Sequence, residues 1–280
     1  MSDKRFSVAN RDLIQLDEIP NDTKYLYCGY NKLRQLPVLP QSLKYLACAH
    51  NLLHTFPEFP PNLKRIYCEN NNFMTLPELP SKLTILGCAN NLLIRLPELP
   101  ESLTYLYCSF NSLRKLPNLP SKLDILMCEV NAIEELPSLP DIMRILYCQH
   151  NQISRLPPLP LQLYSFNCSY NNLTYLPPLP QTLRILHCTN NRIEIFPDMP
   201  ESLETLFIEN NPHIYRYTHP KMINITNSAL EYLKDILYAR KLKTPLRAWM
   251  WRARERIAMS EMHPDRIREL LESGVEIFDL

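Results

Sequence analysis

The chain has 280 residues, 45% of them hydrophobic, and its 30 basic and 29 acidic side chains leave a formal net charge of +1. That balance removes any global electrostatic argument for nucleic acid or an anionic membrane as partner. Only three glycines occur, Gly29, Gly87 and Gly274, so no glycine-rich loop can cradle a phosphate.

The N-terminus, Met1-Ser2-Asp3-Lys4-Arg5-Phe6, lacks the apolar stretch of a secretory leader, and no 18 consecutive apolar residues follow to span a membrane. The cysteine count is odd, which predicts a reducing, intracellular compartment. No His-Glu-x-x-His or Cys-x-x-Cys motif is present, and His50, His54, His150 and His187 have no nucleophile–base–acid set nearby. The expectation is a non-enzyme with no cofactor and no small-molecule substrate.

From Phe6 and Val8 onward the chain beats every 20 residues. The nine cysteines all keep this phase: Cys28, Cys48, Cys68, Cys88, Cys108, Cys128, Cys148, Cys168 and Cys188. Asparagine keeps it from Asn31 through Asn51, Asn91 and Asn131 to Asn211, and two proline columns run from Pro37 to Pro197 and from Pro20 to Pro200. An unbroken period of this length predicts a solenoid, because each unit can bury its apolar face only against the next copy.

One unit shows the logic. Leu46 and Cys48 are two apart, with Tyr45, Ala47 and Ala49 alternating against them, the period of a strand with one buried side. Stacked in register, such strands form a parallel sheet with rungs ~4.8 Å apart. Asn51 then supplies an amide able to satisfy a carbonyl and an N–H of adjacent turns, and Leu53 and Phe56 return to the core. The Pro-x-Leu-Pro stretch, as in Pro77-Glu78-Leu79-Pro80, forbids a helix on the way back and predicts an extended, polyproline-like wall. Each compatible proline adds roughly 0.4–1 kcal/mol by restricting the unfolded chain.

The cysteine column reads as a lane of small buried side chains. Parallel Cβ vectors on neighbouring rungs argue against disulfides, and a straight column cannot surround a zinc ion tetrahedrally.

This pattern, Leu-x-x-Leu-x-Cys-x-x-Asn-x-Leu-x-x-Leu-Pro-x-Leu-Pro, resembles the leucine-rich repeat family, in the short 20-residue subclass of secreted bacterial effectors such as YopM and the IpaH proteins. The likeness covers about residues 6–212 in about eleven turns. It implies a right-handed curved solenoid, a β-type horseshoe with the parallel sheet on its concave side. The chain departs from the effector pattern in its cysteines, in Arg11 and Asp17 of the first turn, and in Ile208 where cysteine is due. The IpaH type carries a ligase domain with a catalytic cysteine; here no cysteine follows Cys188, which excludes thioester chemistry.

Outward strand positions are rich in aromatics. Tyr25, Tyr45 and Tyr105 share one column, and Tyr27, Tyr67, Tyr107, Tyr147 and Phe207 another, with Phe110, His150 and Tyr170 beside the Asn turn. Strand propensity and cross-strand stacking favour such residues, and so does protein binding, where Tyr is an amphipathic anchor. Lys24, Lys44 and Lys64, joined by Arg65, form a basic ridge beside the early strands, either a solvated edge or a steering element for an acidic partner.

Past Ile214 the period stops, and 213–280 forms a separate predicted unit, a C-terminal helical cap. Leu230, Leu233, Ile236 and Leu237 mark one amphipathic helix, Thr244-Pro245 opens a second with Leu246, Trp249, Met250, Ala253 and Ile257 on one face, and Pro264 opens a third that Gly274 ends. Between Arg240 and Arg256 lie seven basic residues against Glu255 alone, either a solvated face or a docking helix for nucleic acid or an anionic membrane. The Trp249-x-Trp251-Arg252-x-Arg254-Glu255 and His263-Pro264 segments resemble the tails of repeat proteins from giant amoebal viruses. The primary expectation is a protein-interaction module binding its partner on the aromatic sheet; the alternative is an adaptor docking through 240–256.

Overall fold

The structure is a computed structural model, and it describes residues 4–212. The chain separates into two compact units, Met1–Ile223 and Asn224–Leu280. The expected cap of 213–280, with its basic stretch 240–256, lies outside the described residues.

Eleven three-residue strands follow one another, from β1 (Arg5–Ser7), β2 (Tyr25–Tyr27), β3 (Tyr45–Ala47), β4 (Arg65–Tyr67), β5 (Ile85–Gly87) and β6 (Tyr105–Tyr107) to β7 (Ile125–Met127), β8 (Ile145–Tyr147), β9 (Ser165–Asn167), β10 (Ile185–His187) and β11 (Thr205–Phe207). They form one parallel sheet in strict chain order. Each residue pairs with the one 20 places on, as Tyr25 with Tyr45 and Leu46 with Ile66. The fold is therefore the expected leucine-rich-repeat solenoid.

Strand alternation sends Leu46 and Cys48 inward, and both are fully buried. Each turn adds Leu43 and Leu53 or their equivalents to the same continuous core. Burying one such leucine stabilises the fold by about 1.5–3 kcal/mol, and the gain recurs with every turn. All nine cysteines are buried, unbridged thiols.

The asparagine ladder works as a clamp. The Asn51 amide nitrogen donates to the carbonyls of Cys28 (3.0 Å) and Cys48 (3.1 Å), one on each of two turns. Its Oδ1 accepts from the N–H of Leu33 at 3.0 Å. The arrangement recurs to the last described turn, where Asn211 bonds the carbonyls of Cys188 and Ile208 and takes the N–H of Ile193.

Immediately before each asparagine stands a residue in the left-handed region, and none of these is glycine. They include Tyr30 (φ 56°), His50 (59°), Phe110 (53°) and Val130 (54°). Such a conformation costs roughly 1–2 kcal/mol per non-glycine residue. The clamp on its C-terminal side and a backbone bond to the next rung, such as His50 N–H to Glu69 O at 2.9 Å, hold it in place.

The return wall carries no helix among the described residues. A tight turn opens each new unit, as in Leu43 N–H to Pro40 O at 3.0 Å. Ser42 Oγ ties that turn to the one before, donating to Thr23 O at 2.7 Å. Proline on the wall gives up N–H groups that a sheet or helix would have needed.

Candidate protein-binding surface on the concave sheet

The residues that alternate against the leucine and cysteine lanes all face the concave side. Register places Tyr27, Ala47, Tyr67, Gly87, Tyr107, Met127 and Tyr147 in one column, and Tyr25, Tyr45, Arg65, Ile85 and Tyr105 in the next.

At the N-terminal end four rings form one cluster. Tyr25 and Tyr27 lie 6.1 and 5.1 Å from Tyr45, which lies 5.4 Å from Tyr67. The Arg5 guanidinium stands 5.8 Å over Tyr25. Except for Tyr67, which is buried, these rings are half-buried, so one side of the cluster meets solvent. Along the Asn edge Tyr30 stacks on His50, and His150 on Tyr170, both at 4.3 Å.

The middle of the sheet is more closed than periodicity suggests. Ile85, Ile125, Ile145 and Ile185 occupy the column of Tyr25 and are buried, and so are Tyr107 and His150. Side chains on rungs ~4.8 Å apart cover one another wherever large residues succeed each other. Tyr105, Phe110, Tyr147, Tyr170 and Phe207 remain half-buried. Tyr147 shares a hydrogen bond with Ser165 at 3.1 Å, and burial pushes its phenol up to about 12 despite that bond. Phe207 meets His187 edge-on at 4.4 Å, and burial lowers the His187 imidazole to about 4.

The structure thus brings Tyr25, Tyr27, Tyr45 and Tyr67 together and leaves Tyr105, Phe110, Tyr147, Tyr170 and Phe207 spread along later turns. The backbones of Lys24, Lys44 and Lys64 stack directly, the N–H groups of Lys44 and Lys64 each meeting the preceding lysine carbonyl at 2.8 Å. Their side chains line the N-terminal edge of the ring cluster, with Lys44 and Lys64 exposed and Arg65 within the sheet. At the later turns Asp124 instead accepts a two-pronged bond from Arg144, at 2.8 and 2.5 Å.

Two carboxyls on this face are covered by their neighbours, and of these Glu69 was not singled out by pattern. Glu69 is half-buried, and its Oε1 lies inside the volume that a Cβ on Gly87 would fill. Burial pushes its carboxyl up to about 7, a bond to its own backbone opposing this only in part. Glu129 is nine-tenths buried, and burial raises it too against a bond from Ser109. The readable signal was a glutamate directly after a cysteine, at a phase held elsewhere by small residues such as Gly29, Ala49 and Ala89.

No protein-family model matches the chain, and no curated protein does. Solved structures do. Over 70% of this chain it is similar to YopM from Yersinia enterocolitica, at 35% identity and a TM-score of 0.65. Over 74% it is similar to YopM from Yersinia pestis, a leucine-rich effector protein, at 33% identity and a TM-score of 0.64, covering 72% of that chain. The chain belongs to the leucine-rich repeat family. Its 20-residue repeats are of the YopM type, although it spans only 48% of the Y. enterocolitica protein. The family fold extends to FLRT2, solved in an octameric complex with Latrophilin 3 and Unc5D, at 22% identity and a TM-score of 0.55 over 72% of this chain.

Proposed function

We propose that the chain is a non-catalytic protein-binding module whose partner lies across the concave sheet. The observation that carries this reading is the four-ring cluster of Tyr25, Tyr27, Tyr45 and Tyr67, half open to solvent and edged by stacked lysines. Rigid aromatic anchors that lose little side-chain entropy are what interfaces concentrate at their centres. FLRT2 contributes a leucine-rich repeat part to a multi-protein complex, which supports a binding role for this fold. Later aromatics, from Tyr105 and Tyr107 through Phe110, Tyr147, His150 and Tyr170 to Phe207, extend the same surface, and Lys24, Lys44, Lys64 and Arg65 steer an acidic segment of the partner toward the first turns. Nine unbridged thiols fit a reducing compartment. Nothing in the comparisons favours nucleic acid or membrane docking through 240–256.

Proximity labelling in cells with the full chain tests this reading against a variant carrying Tyr25→Ala, Tyr27→Ala and Tyr45→Ala. The labelled set should lose a discrete group of proteins with the variant. An identical set from both would refute the concave-sheet assignment.

A further inference from the structure

Beyond the asparagine ladder each turn runs on extended before it reaches its prolines, and these segments stack as rungs of their own. The N–H groups of Leu52, Asn72, Leu92 and Ser112 reach the carbonyls of Leu33, Leu53, Phe73 and Leu93 on the preceding turn, at 2.8, 2.8, 2.9 and 2.9 Å. Alternation buries Leu53, Phe73 and Leu93 and sends the residues on either side of them outward. On this flank Leu52, Met74, Leu92 and Ile94 are between 41% and 59% exposed. Met74 and Ile94 hold the same place on adjacent turns, Leu92 stands two residues before Ile94, and Leu52 is diagonal to Met74. Single exposed apolar side chains such as Val38 and Leu161 are ordinary. Four on three successive turns make a patch of the kind that interaction sites carry.

The patch lies in a band without carboxylates. The stretches 31–37, 51–57, 71–77, 91–97 and 111–117 hold no Asp or Glu, whereas the turn before carries Asp12 and the turn after carries Glu134 and Glu135. Cations stand at both ends of the band, Arg34 at one and Arg95, Arg114 and Lys115 at the other, all four exposed. None of the four forms an ion pair among the described residues, whereas Lys32 is held on Asp12 at 2.8 Å. Five turns make four rung steps, about 19 Å.

We propose that this flank is a second docking surface and takes an amphipathic helix of a partner protein, apolar toward Met74 and Ile94 and acidic at the end over Arg95, Arg114 and Lys115. The rungs bond one another, with the N–H of Leu92 on Phe73 and that of Leu93 on Asn111. They present no sheet edge along the flank, so an extended segment crossing them would leave its own backbone unpaired, whereas a helix arrives with its backbone satisfied. Helical pitch, about 5.4 Å, is close to the ~4.8 Å rung spacing, so an apolar stripe at i, i+3 or i+4, and i+7 meets successive rungs. About 19 Å corresponds to roughly 13 helical residues. Asp12, Glu134 and Glu135 close the band at both ends, which fits a ligand of limited length; an anionic membrane plane would press on those carboxylates as well. The surface is separate from the concave sheet and does not depend on it.

The test pans a displayed library of ~14-residue amphipathic helices against the full chain. Recovered peptides are then measured on the wild type, on Met74→Glu with Ile94→Glu, on Arg114→Glu with Lys115→Glu, and on Tyr45→Ala. The flank positions are exposed, so their variants leave the core untouched. Recovered helices should share an apolar face and carry Asp or Glu near one end. Met74→Glu with Ile94→Glu should weaken them at least ~10-fold. Arg114→Glu with Lys115→Glu should weaken them about 10-fold and flatten the salt dependence, and Tyr45→Ala should leave them unchanged. Recovery of no helix, or binding that Met74→Glu with Ile94→Glu leaves intact, would overturn the flank assignment, and helices lost only on Tyr45→Ala would belong to the concave sheet instead. Cosedimentation with phosphatidylcholine–phosphatidylserine vesicles by the wild type, abolished by Met74→Glu with Ile94→Glu, would overturn the helix in favour of an anionic membrane.

Discussion

Glu69→Gln changes the pH dependence of stability, and the direction follows from burial. The Glu69 acid moves from the ordinary 4.5 to about 7 in the folded chain. Between these values the folded chain keeps a proton that the unfolded chain has released. Stability therefore declines as pH rises through this window, having been undiminished below it and lowest above it. The shift is worth about 3 kcal/mol at ~1.4 kcal/mol per unit, all of which the neutral amide removes.

The groups packed around Glu69 do not blur this. Cys48, Cys68 and Cys88 lie beneath it with thiols held far above neutrality. Two distant groups do interfere, Glu129 and His187. Burial lowers His187 from 6.5 to about 4, so its contribution is present above pH 6.5 and lost as pH falls through 4, also about 3 kcal/mol. The His187 slope opposes that of Glu69, while Glu129, which burial also raises, adds to it, so the wild-type curve alone does not isolate Glu69. The informative quantity is the wild type minus Glu69→Gln difference, read from urea unfolding at about pH 4.5 and pH 8. Amide exchange at Cys68 and Cys88 should accompany it, because long repeat arrays can unfold in parts. The variant should gain about 3 kcal/mol relative to wild type at the higher pH only. A pH-independent difference would refute the buried-acid account.

Removing His187 by His187→Gln should expose the opposite slope, so that this variant alone loses stability steadily as pH rises from about 4.5 to 7, in the same unfolding assay. Asn91→Ala should cost about 3 kcal/mol in urea unfolding, since it strips the Phe73 N–H and the carbonyls of Cys68 and Cys88 of their partner in a dry turn. The native thiols should react with a maleimide only at the rate of unfolding, with burial pushing even Cys28, at the array's edge, up to about 12; fast modification of all nine in folded protein would refute the buried lane. Changing Lys24, Lys44 and Lys64 to Glu should slow association with an acidic partner about 10-fold and flatten its salt dependence in stopped-flow measurements.

Register was legible in the sequence because period and burial coincide. A strand step of two places Leu46 and Cys48 in the core, and the 20-residue step places Tyr25 opposite Tyr45, before any coordinate is known. The asparagine clamp was legible for the same reason: a buried bend must satisfy its carbonyls and N–H groups, and one amide per turn is the available device. What escaped was whatever depends on the size of diagonal neighbours. Tyr27, Tyr67 and Tyr107 occupy the same column, yet the first is half-open and the other two are buried, Tyr67 even between Ala47 and Gly87. The left-handed residues before each asparagine were legible only where they are themselves asparagine, as at Asn70, Asn90, Asn190 and Asn210; Tyr30, His50, Phe110 and Val130 carry no such signature, and the surrounding hydrogen bonds hold them there.

The sequence by itself determined the solenoid, its strand phase and the dry cysteine lane, because each follows from a local alternation repeated without error. Tertiary structure alone decided which members of a column stay open to a partner and that the Glu69 carboxylate rests over Gly87. Exposure on a stacked sheet is settled by the side chains of the adjoining turns, 20 residues away, and not by a residue's own place in the repeat.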